Sequence, residues 1–206
     1  MADLFDFTIV TLRPGTPAAA MKRLGETLAA PGLRGKLLAC WYSDIGALNQ
    51  AMIIRAFSSE AALGEERRAL ALSADPFGLG DMAVTLASDA YAPFDFAPAP
   101  QPGKVGPVFE VRTYLCKPNG LAPTIELWRK HLPGRIKVSQ MLTAMHTLGG
   151  STPRFLHVWP YADLNTRQKT RAAAVAAGVW PPPGGSVHLL TQQSDIYFAA
   201  PFSPIQ

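Results

Sequence analysis

The sequence predicts an α+β protein that is built from two tandem copies of one βαββαβ unit. Sequence landmarks recur in the same order about 104 residues apart, which indicates an internal repeat. Strand-like and helix-like segments follow the same order in both halves, and a proline-rich stretch lies between them. The chain has 206 residues, of which 48% are hydrophobic, so it is long enough to bury a substantial core.

The repeat is clearest at the ends of strands. Residues 13–15 (Arg-Pro-Gly) follow the first strand of the first half, and residues 117–120 (Lys-Pro-Asn-Gly) follow its counterpart. Residues 88–91 (Ser-Asp-Ala-Tyr) match residues 194–197 (Ser-Asp-Ile-Tyr) in the last strand of each half. The spacing changes by only a few residues between landmarks, as loop insertions would produce, so we interpret the halves as one duplicated unit.

The first half is predicted to contain four strands and two helices. Residues 5–12 are rich in Phe, Thr, Ile and Val, which is typical of a strand. Residues 16–29 are rich in Ala and Leu, with Thr16 as the N-cap and Pro17 at the first helical position. The remaining elements are strands at 36–43 and 51–57, a helix from Ser58 or Ser59 to about Ser73, and a strand at 82–91.

The second half repeats this order. Its predicted elements are a strand at 109–116, a helix at 121–139, strands at 141–148 and 154–159, a helix at 164–177 with Asp163 as its cap, and a strand at 186–198. Pro133-Gly134 is expected to kink or split the first of these helices. We therefore divide the chain into a first repeat at 1–95, a proline-rich linker at 96–107 and a second repeat at 108–206.

The βαββαβ order is the ferredoxin-like unit, in which helices cover one face of the sheet and leave the other bare. Because two such units occur in one chain, their bare faces are expected to meet. The sequence therefore predicts a barrel-like sandwich with the helices outside.

Composition and spacing exclude several classes of function. The net charge of +4 is dispersed along the chain, so no nucleic-acid partner is predicted. No segment has the length and apolarity of a membrane span, and the first residues lack the basic region of a leader peptide. Cys40 and Cys116 lie far apart, which favours a reducing compartment, and we expect a cytoplasmic protein. The histidines and cysteines lack metal-site spacing, so neither a metal nor a cofactor is predicted.

The second half resembles the NIPSNAP family. The resemblance rests on Glu110-Val-Arg-Thr-Tyr114, Lys117-Pro118-Asn-Gly120, Trp128, Trp159-Pro160-Tyr161-Ala-Asp163-Leu164, Arg167, Arg171 and Trp180, and it spans about residues 108–202. The first half keeps the order of elements but not these signatures, since Ile54-Arg55-Ala56-Phe57 stands where the second half has Val158-Trp159-Pro160-Tyr161. The resemblance implies the dimeric α+β barrel superfamily. That superfamily includes cofactor-free monooxygenases, isomerases and haem-binding proteins, and the family itself has no single chemistry.

Strand alternation groups the candidate site residues. Glu110, Arg112 and Tyr114 share one face of their strand, and His157 and Trp159 share one face of the strand expected beside it. We expect the apolar faces to lie under the helices and these polar faces to point into the barrel. His157 would move protons, Arg112 would hold an anionic oxygen, Tyr114 would donate to a carbonyl or enolate, and Trp159 would form an aromatic wall.

Two further residues, Arg55 and His188, are predicted to contact a substrate from the first half and from the last strand. The set of Glu110, Arg112, Tyr114 and His157 favours a cavity that binds a small organic molecule, with the chemistry of a cofactor-independent monooxygenase or isomerase. The alternative is a non-enzymatic binding or assembly protein in which Glu110 pairs with Arg112, or with Arg55 across the barrel, as a structural network. Edge strands would allow a homodimer.

Overall fold

The computed structural model describes residues 4–150 and 153–206, and in this part of the chain the predicted order of elements occurs twice. The first half comprises β1 (Leu4–Leu12), α1 (Pro17–Ala29), β2 (Lys36–Ile45), β3 (Gln50–Phe57), α2 (Glu60–Leu72) and β4 (Ala83–Pro93). The second half comprises β5 (Val108–Cys116), α3 (Leu121–Ile136), β6 (Thr143–Thr147), β7 (Arg154–Tyr161), α4 (Leu164–Ala176) and β8 (Leu189–Ala199). The predicted α+β fold of two repeats is confirmed. The domain boundaries at 1–95, 96–107 and 108–206 stay a prediction.

Two local predictions differ from the structure. Helix α3 is not split at Pro133 but runs on to Ile136, because Trp128 and Leu132 hold its inner face in the core. Strand β8 begins later than predicted, after a 3₁₀ turn at Gly185–His188, so His188 precedes the strand.

Two of the predicted helix caps are formed. The side chain of Ser59 accepts a hydrogen bond from the Ala62 amide, and that of Asp163 accepts one from the Thr166 amide. Thr16 does not cap α1, because its hydroxyl donates to the carbonyl of Arg13.

The eight strands form one closed antiparallel barrel in the order β1-β3-β2-β8-β5-β7-β6-β4. The halves are joined at two short seams. Strand β2 pairs with β8, with Trp41 opposite Ala199, and β4 pairs with β6, with Tyr91 opposite Thr147. The barrel that requires two ferredoxin-like units is therefore formed within a single chain.

The barrel interior is apolar and is filled by both halves. Trp41 of the first half stacks on Phe109 of the second, with ring centroids 4.2 Å apart and planes at 13°. Phe7, Val111 and Val158 belong to the same buried cluster. The predicted orientation of the strand faces was wrong, because the apolar faces of β1, β5 and β7 point inward and the polar faces lie under the helices. The interior lies between two sheets with no helix to supply polar partners, so it takes the more apolar face.

The chain between the repeats closes one end of this barrel together with residues 200–206. Gly103 forms a parallel bridge with Ile205, and the indole of Trp41 donates to the Ile205 carbonyl at 3.1 Å. The Ile205 amide in turn donates to the carbonyl of Leu38. The opposite end of the barrel holds an open recess of about 290 Å³.

Because the interior is shared, we expect the two halves to unfold together. Trp41→Ala should lower the free energy of unfolding by about 3–5 kcal/mol, the usual cost of truncating a buried aromatic side chain. The remaining tryptophans, Trp128, Trp159 and Trp180, all lie in the second half, so urea unfolding followed by their fluorescence reports on that half.

The urea midpoint of this fluorescence signal should fall by as much as the midpoint measured by far-UV circular dichroism. The neighbouring Tyr42→Ala is the control, because Tyr42 is on the outer face and partly exposed. An unchanged fluorescence midpoint in Trp41→Ala would show that the second half is stable without the first.

Candidate functional site

The polar residues of β5 and β7 lie side by side, as the sequence predicts. In the register of these strands Glu110 is opposite Trp159, and Arg112 is opposite His157. They do not face the barrel interior, however. They lie under α3 and α4, where Trp128 of α3 packs on the His157 ring with centroids 4.6 Å apart.

Glu110 is fully buried and is held by several donors. Its Oε1 accepts from Arg167 at 2.6 Å, from Arg112 at 2.8 Å and from the hydroxyl of Ser194 at 2.8 Å, and Arg171 lies 3.5 Å away. Burial raises the pKa of the Glu110 carboxyl, but the hydrogen bond from Arg167 and the charges of Arg171 and Arg112 outweigh it and lower the pKa to about 2. The carboxylate is therefore ionised and serves as an anchor for these arginines.

Arg112 also binds the phenol of Tyr114. Its Nε donates to the Tyr114 hydroxyl oxygen at 2.7 Å, so the hydroxyl keeps its own proton available for donation. Burial raises the pKa of Tyr114, with the charge of Arg112 opposing. Tyr114 is therefore a neutral proton donor at physiological pH.

His157 is enclosed by aromatic rings. The indole N–H of Trp159 donates to its Nδ1 at 2.6 Å, and because an indole can only donate, the proton of the neutral imidazole must be on Nε2. Nε2 has no hydrogen-bond partner among the described residues, and the Tyr114 ring lies 4.9 Å from the imidazole. Burial, and next the charge of Arg112, lower the pKa of His157 well below its usual value, so the ring is neutral. His157 does not line any of the cavities described below.

Arg135 of α3 completes the site, although it is not among the residues that strand alternation singles out. Its guanidinium lies 4.4 Å from the Trp159 ring centroid, and the residue is only 2% exposed. The spacing of Trp128, Leu132 and Arg135 along the helix would have been a usable signal, since it places a cation on the core-facing stripe. Burial lowers the pKa of Arg135, with Tyr161 acting in the opposite direction.

Two adjoining cavities lie between these helices and the sheet, and we call them together the helix-side pocket. The basic cavity has a volume of about 220 Å³, and its cationic wall consists of Arg112, Arg135 and Arg171. The aromatic cavity has a volume of about 290 Å³, and its wall includes Leu127, Trp128, Trp180 and the loop of residues 181–186. The cavities share Tyr114, Trp180, Pro181 and Gln192. An elongated molecule could therefore lie in both, with a polar end among the arginines.

The recess at the open end of the barrel is a separate cavity. Its walls come from both halves and include Asp89, Arg154, Gln193, Asp195 and Tyr197. None of the predicted site residues lines it. The predicted residues Glu110, Arg112, Tyr114, His157 and Trp159 are neighbours on β5 and β7, but their predicted position in the barrel cavity is wrong. Of these five residues, Arg112 and Tyr114 line the helix-side pocket.

The first half holds an equivalent carboxylate under its own helices. Asp6 accepts from Arg67 at 2.9 and 3.0 Å and from Ser88 at 2.8 Å. Arg55 is fully buried here, where it pairs with Asp6 and Glu66. The predicted pair between Glu110 and Arg112 is confirmed, whereas the alternative pair between Glu110 and Arg55 is wrong, because Arg55 lies under α2 on the other half.

Arg55 and His188 are the two predicted substrate contacts that lie outside β5 and β7. Arg55 is in the first half and is therefore separated from the helix-side pocket. His188 lies in the 3₁₀ turn between Ser186 and Leu189, which both line the aromatic cavity, but its own side chain does not.

The closed barrel with outer helices, and the pocket between helices and sheet, define a protein of the dimeric α+β barrel class with both units in one chain. The chain belongs to the NIPSNAP family, whose family model matches residues 5–77 and 109–204. The resemblance found in the second half is thus confirmed, and it extends to the first half.

Solved structures support the same fold. A candidate monooxygenase from Lactobacillus acidophilus is similar over 97% of this chain and 95% of its own, with a TM-score of 0.65 and 11% identity. A candidate monooxygenase from Fusobacterium nucleatum is similar over 97% and 93%, with a TM-score of 0.64 and 10% identity. An anthrone oxidase-like protein is similar over 97% of this chain and 92% of its own, with a TM-score of 0.65 and 10% identity. No curated protein sequence matches the chain. No described helix is long and apolar enough to cross a membrane.

The arginines around Glu110 give a prediction about pH. Its pKa is lower in the folded chain than the ordinary value of 4.5, so the ionised carboxylate stabilises the fold above pH ~5. This contribution, about 3 kcal/mol for a shift to about 2, is lost as the pH falls toward 2. Glu110→Gln should therefore be less stable than the unsubstituted chain at pH 7, and the difference should shrink on acidification.

Urea unfolding between pH 7 and pH 2.5 measures this difference. The exposed Glu126→Gln on α3 is the control and should change stability by less than about 1 kcal/mol at every pH. A difference for Glu110→Gln that stays constant over the whole range would contradict the predicted role of the ionised carboxylate.

Proposed function

We propose that this NIPSNAP protein binds a small aromatic organic molecule in the helix-side pocket of its second half. The observation that carries the proposal is the joining of an aromatic cavity to a basic one through Tyr114, Trp180 and Gln192. Such a mixture of apolar wall and few polar groups is typical of small-molecule sites. The barrel recess is the weaker candidate, because the polar side chains predicted to carry chemistry are outside it.

The chemistry that this pocket suits is proton transfer beside a carbonyl, or oxidation of an aromatic ketone by O2. Tyr114 would donate its proton to a carbonyl or enolate oxygen, and Arg112 would stabilise the negative charge that develops there. His157 would act as a positioning residue, because its ring packs against Tyr114 and its Nδ1 is occupied by Trp159. A cofactor-independent monooxygenase or isomerase is therefore the proposed class. The names of the structural relatives, which include monooxygenase and anthrone oxidase, agree with it.

A non-enzymatic role is the second candidate, and the pairing of Glu110 with Arg112, Arg167 and Ser194 favours it. Those contacts stabilise the sheet without any ligand. In that case the pocket would bind its molecule without turnover, and the outer surface would bind the partners.

Two further proposals concern assembly and location. Strand β4 pairs with β6 only from Tyr91 to Pro93, and β8 pairs with β2 only from Ile196 to Ala199, so the earlier part of each strand has one free edge. We propose that these edges join two chains in a homodimer. We also propose a reducing, cytoplasmic location, on the basis of the buried and unpaired Cys40 and Cys116.

Two neighbouring glutamines allow the two cavities to be tested separately. Gln192 lines the helix-side pocket and Gln193 lines the barrel recess, and both side chains are exposed. A tryptophan at position 192 should fill the helix-side pocket and weaken binding of aromatic compounds such as anthrone and 2-naphthamide by roughly tenfold or more. Isothermal titration calorimetry measures the affinity.

Gln193→Trp is the matched control and should leave the affinity unchanged. The reverse pattern would assign binding to the barrel recess. Failure of the unsubstituted chain to bind any compound of an aromatic panel would contradict the proposal altogether.

Turnover is tested with anthrone, which reacts with O2 to give anthraquinone and water. Tyr114→Phe removes the donated proton and should lower the rate of O2 uptake by about 10²- to 10⁴-fold, the usual contribution of a positioned acid or base. Far-UV circular dichroism checks that the variant is folded, and Tyr42→Phe on the outer surface is the control. No O2 uptake by the unsubstituted chain with anthrone or related ketones would favour the non-enzymatic candidate.

A further inference from the structure

The helix-side pocket contains more positive charge than the protein neutralises. We infer that its ligand is an aromatic molecule with an oxyanion, a carboxylate or a phosphate, and that Arg135 binds this group together with Arg112 and Arg171. The inference rests on the proposed function, since it names the class of molecule that occupies the pocket.

The first observation is the balance of charge under α3 and α4. The guanidinium groups of this region are those of Arg112, Arg135, Arg167 and Arg171. Within residues 4–150 and 153–206, Glu110 is the single carboxylate that pairs with any of them. His157 is neutral, so it adds no charge to either side. The site thus has an excess of positive charge, and for the buried guanidinium of Arg135 this is costly unless an anion is bound.

The first half shows that the excess is not a requirement of the fold. At the equivalent place under α2, the guanidinium groups of Arg55 and Arg67 are matched by the carboxylates of Asp6 and Glu66. The repeat spacing aligns Glu66 with Thr170 and Thr8 with Arg112, so at these two positions the second half has lost an acid and gained a base. The same scaffold is therefore neutral in one half and cationic in the other.

The second observation is that no carboxylate of the described residues pairs with Arg135 although it is buried, and its neighbours are the Trp159 ring and the Tyr161 hydroxyl. Nε and Nη1 of Arg135 have no hydrogen-bond acceptor in the described part of the chain, and Nε of Arg167 also has none there. Leaving charged donors unsatisfied is far more costly than leaving a neutral one. Arg135 also lines the basic cavity, so an oxyanion placed there could accept from it. A planar guanidinium is well suited to carboxylates and phosphates, because its fork of donors matches two oxygens at once.

The remaining part of the ligand follows from the adjoining cavity. The rings of Trp128 and Trp180 meet edge to face with centroids 4.8 Å apart, and they form the wall next to the basic cavity. An aromatic body against this wall would bring an attached oxyanion to the arginines. Inorganic anions would use only the basic half of the pocket and should bind more weakly.

The test compares three probes with the same naphthyl ring system, namely 2-naphthoate, 2-naphthyl phosphate and the neutral 2-naphthamide. Isothermal titration calorimetry on the full chain should show that at least one anion binds roughly ten- to a hundredfold more tightly than the amide, the range for charge-assisted hydrogen bonds. The anion that binds more tightly distinguishes a carboxylate from a phosphate ligand.

The variant Arg135→Met should lower the affinity for the anions by roughly tenfold and the affinity for 2-naphthamide by much less, because only the anions form charge-assisted hydrogen bonds with the guanidinium. Arg129→Met is the matched control on the same helix. Arg129 is exposed, pairs with Asp95 and lies outside the pocket, so its loss should change neither affinity. Arg171→Gln is a second variant that should also weaken binding of the anions. The Arg171 side chain is partly exposed and is joined to Glu110 only by contacts of 3.5 Å, so we expect this variant to fold.

The outcomes separate the inference from the proposed function. Equal affinity of the unsubstituted chain for the anions and the amide would overturn the inference but leave the pocket as a small-molecule site. No binding of any probe would contradict the proposed function as well.

A measurement without ligand adds an independent check. Arg135→Met should have the same Tm as the unsubstituted chain or a higher one, because an unpaired buried charge is removed. Arg55→Met should have a lower Tm, because it leaves the buried carboxylate of Glu66 without its cation and that of Asp6 with Arg67 alone. A Tm of Arg135→Met that falls as far as that of Arg55→Met would show that Arg135 is a structural partner and would overturn the inference.

Discussion

Each βαββαβ unit has a sheet with helices on one side only, and the bare side must be covered by something apolar. In this chain the bare side of one half covers the bare side of the other, with Trp41 and Phe109 stacked between them. This constraint determines which residues of every strand point inward. Once Phe109 and Val111 face the shared interior, alternation forces Glu110 and Arg112 to face the helices. The position of the polar site is thus a consequence of how the barrel closes.

Placing polar residues under helices creates a second requirement, because a buried carboxylate needs donors. Both halves meet it with the same elements, namely a serine of the last strand and at least one arginine of the second helix, around Asp6 in one case and Glu110 in the other. The solutions differ in net charge. Arg55 and Glu66 complete a neutral network in the first half, whereas Arg135 and Arg112 make the second half cationic and leave room for a pocket. The first half thus holds a neutral network, and the second half holds a cationic network beside a cavity.

The sequence predicts the elements well because the repeat supplies each pattern twice. Caps at Ser59 and Asp163, the turns after β1 and β5, and the grouping of Glu110, Arg112 and Tyr114 all depend on local spacing. The orientation of the polar faces could not be predicted in the same way, because alternation shows which residues share a face but not what covers it. Arg135 escaped notice for a related reason. Its importance depends on the stripe of Trp128 and Leu132 and on the missing acceptor, and the latter is a property of the folded site.

Fusion of two units in one chain also removes a restriction that acts on a barrel of two identical chains. There, any residue gained for binding would appear twice, and both copies would carry the cost of buried unpaired charge. In a tandem chain the first half can keep a paired network while the second half holds Arg135 without an acceptor. A protein tolerates such a destabilising group when the rest of the structure is stable enough to hold it in place. In the function that we propose, the neutral half and the shared interior supply that stability, and the difference between the Asp6 and Glu110 networks confines the unpaired charge to the half with the helix-side pocket.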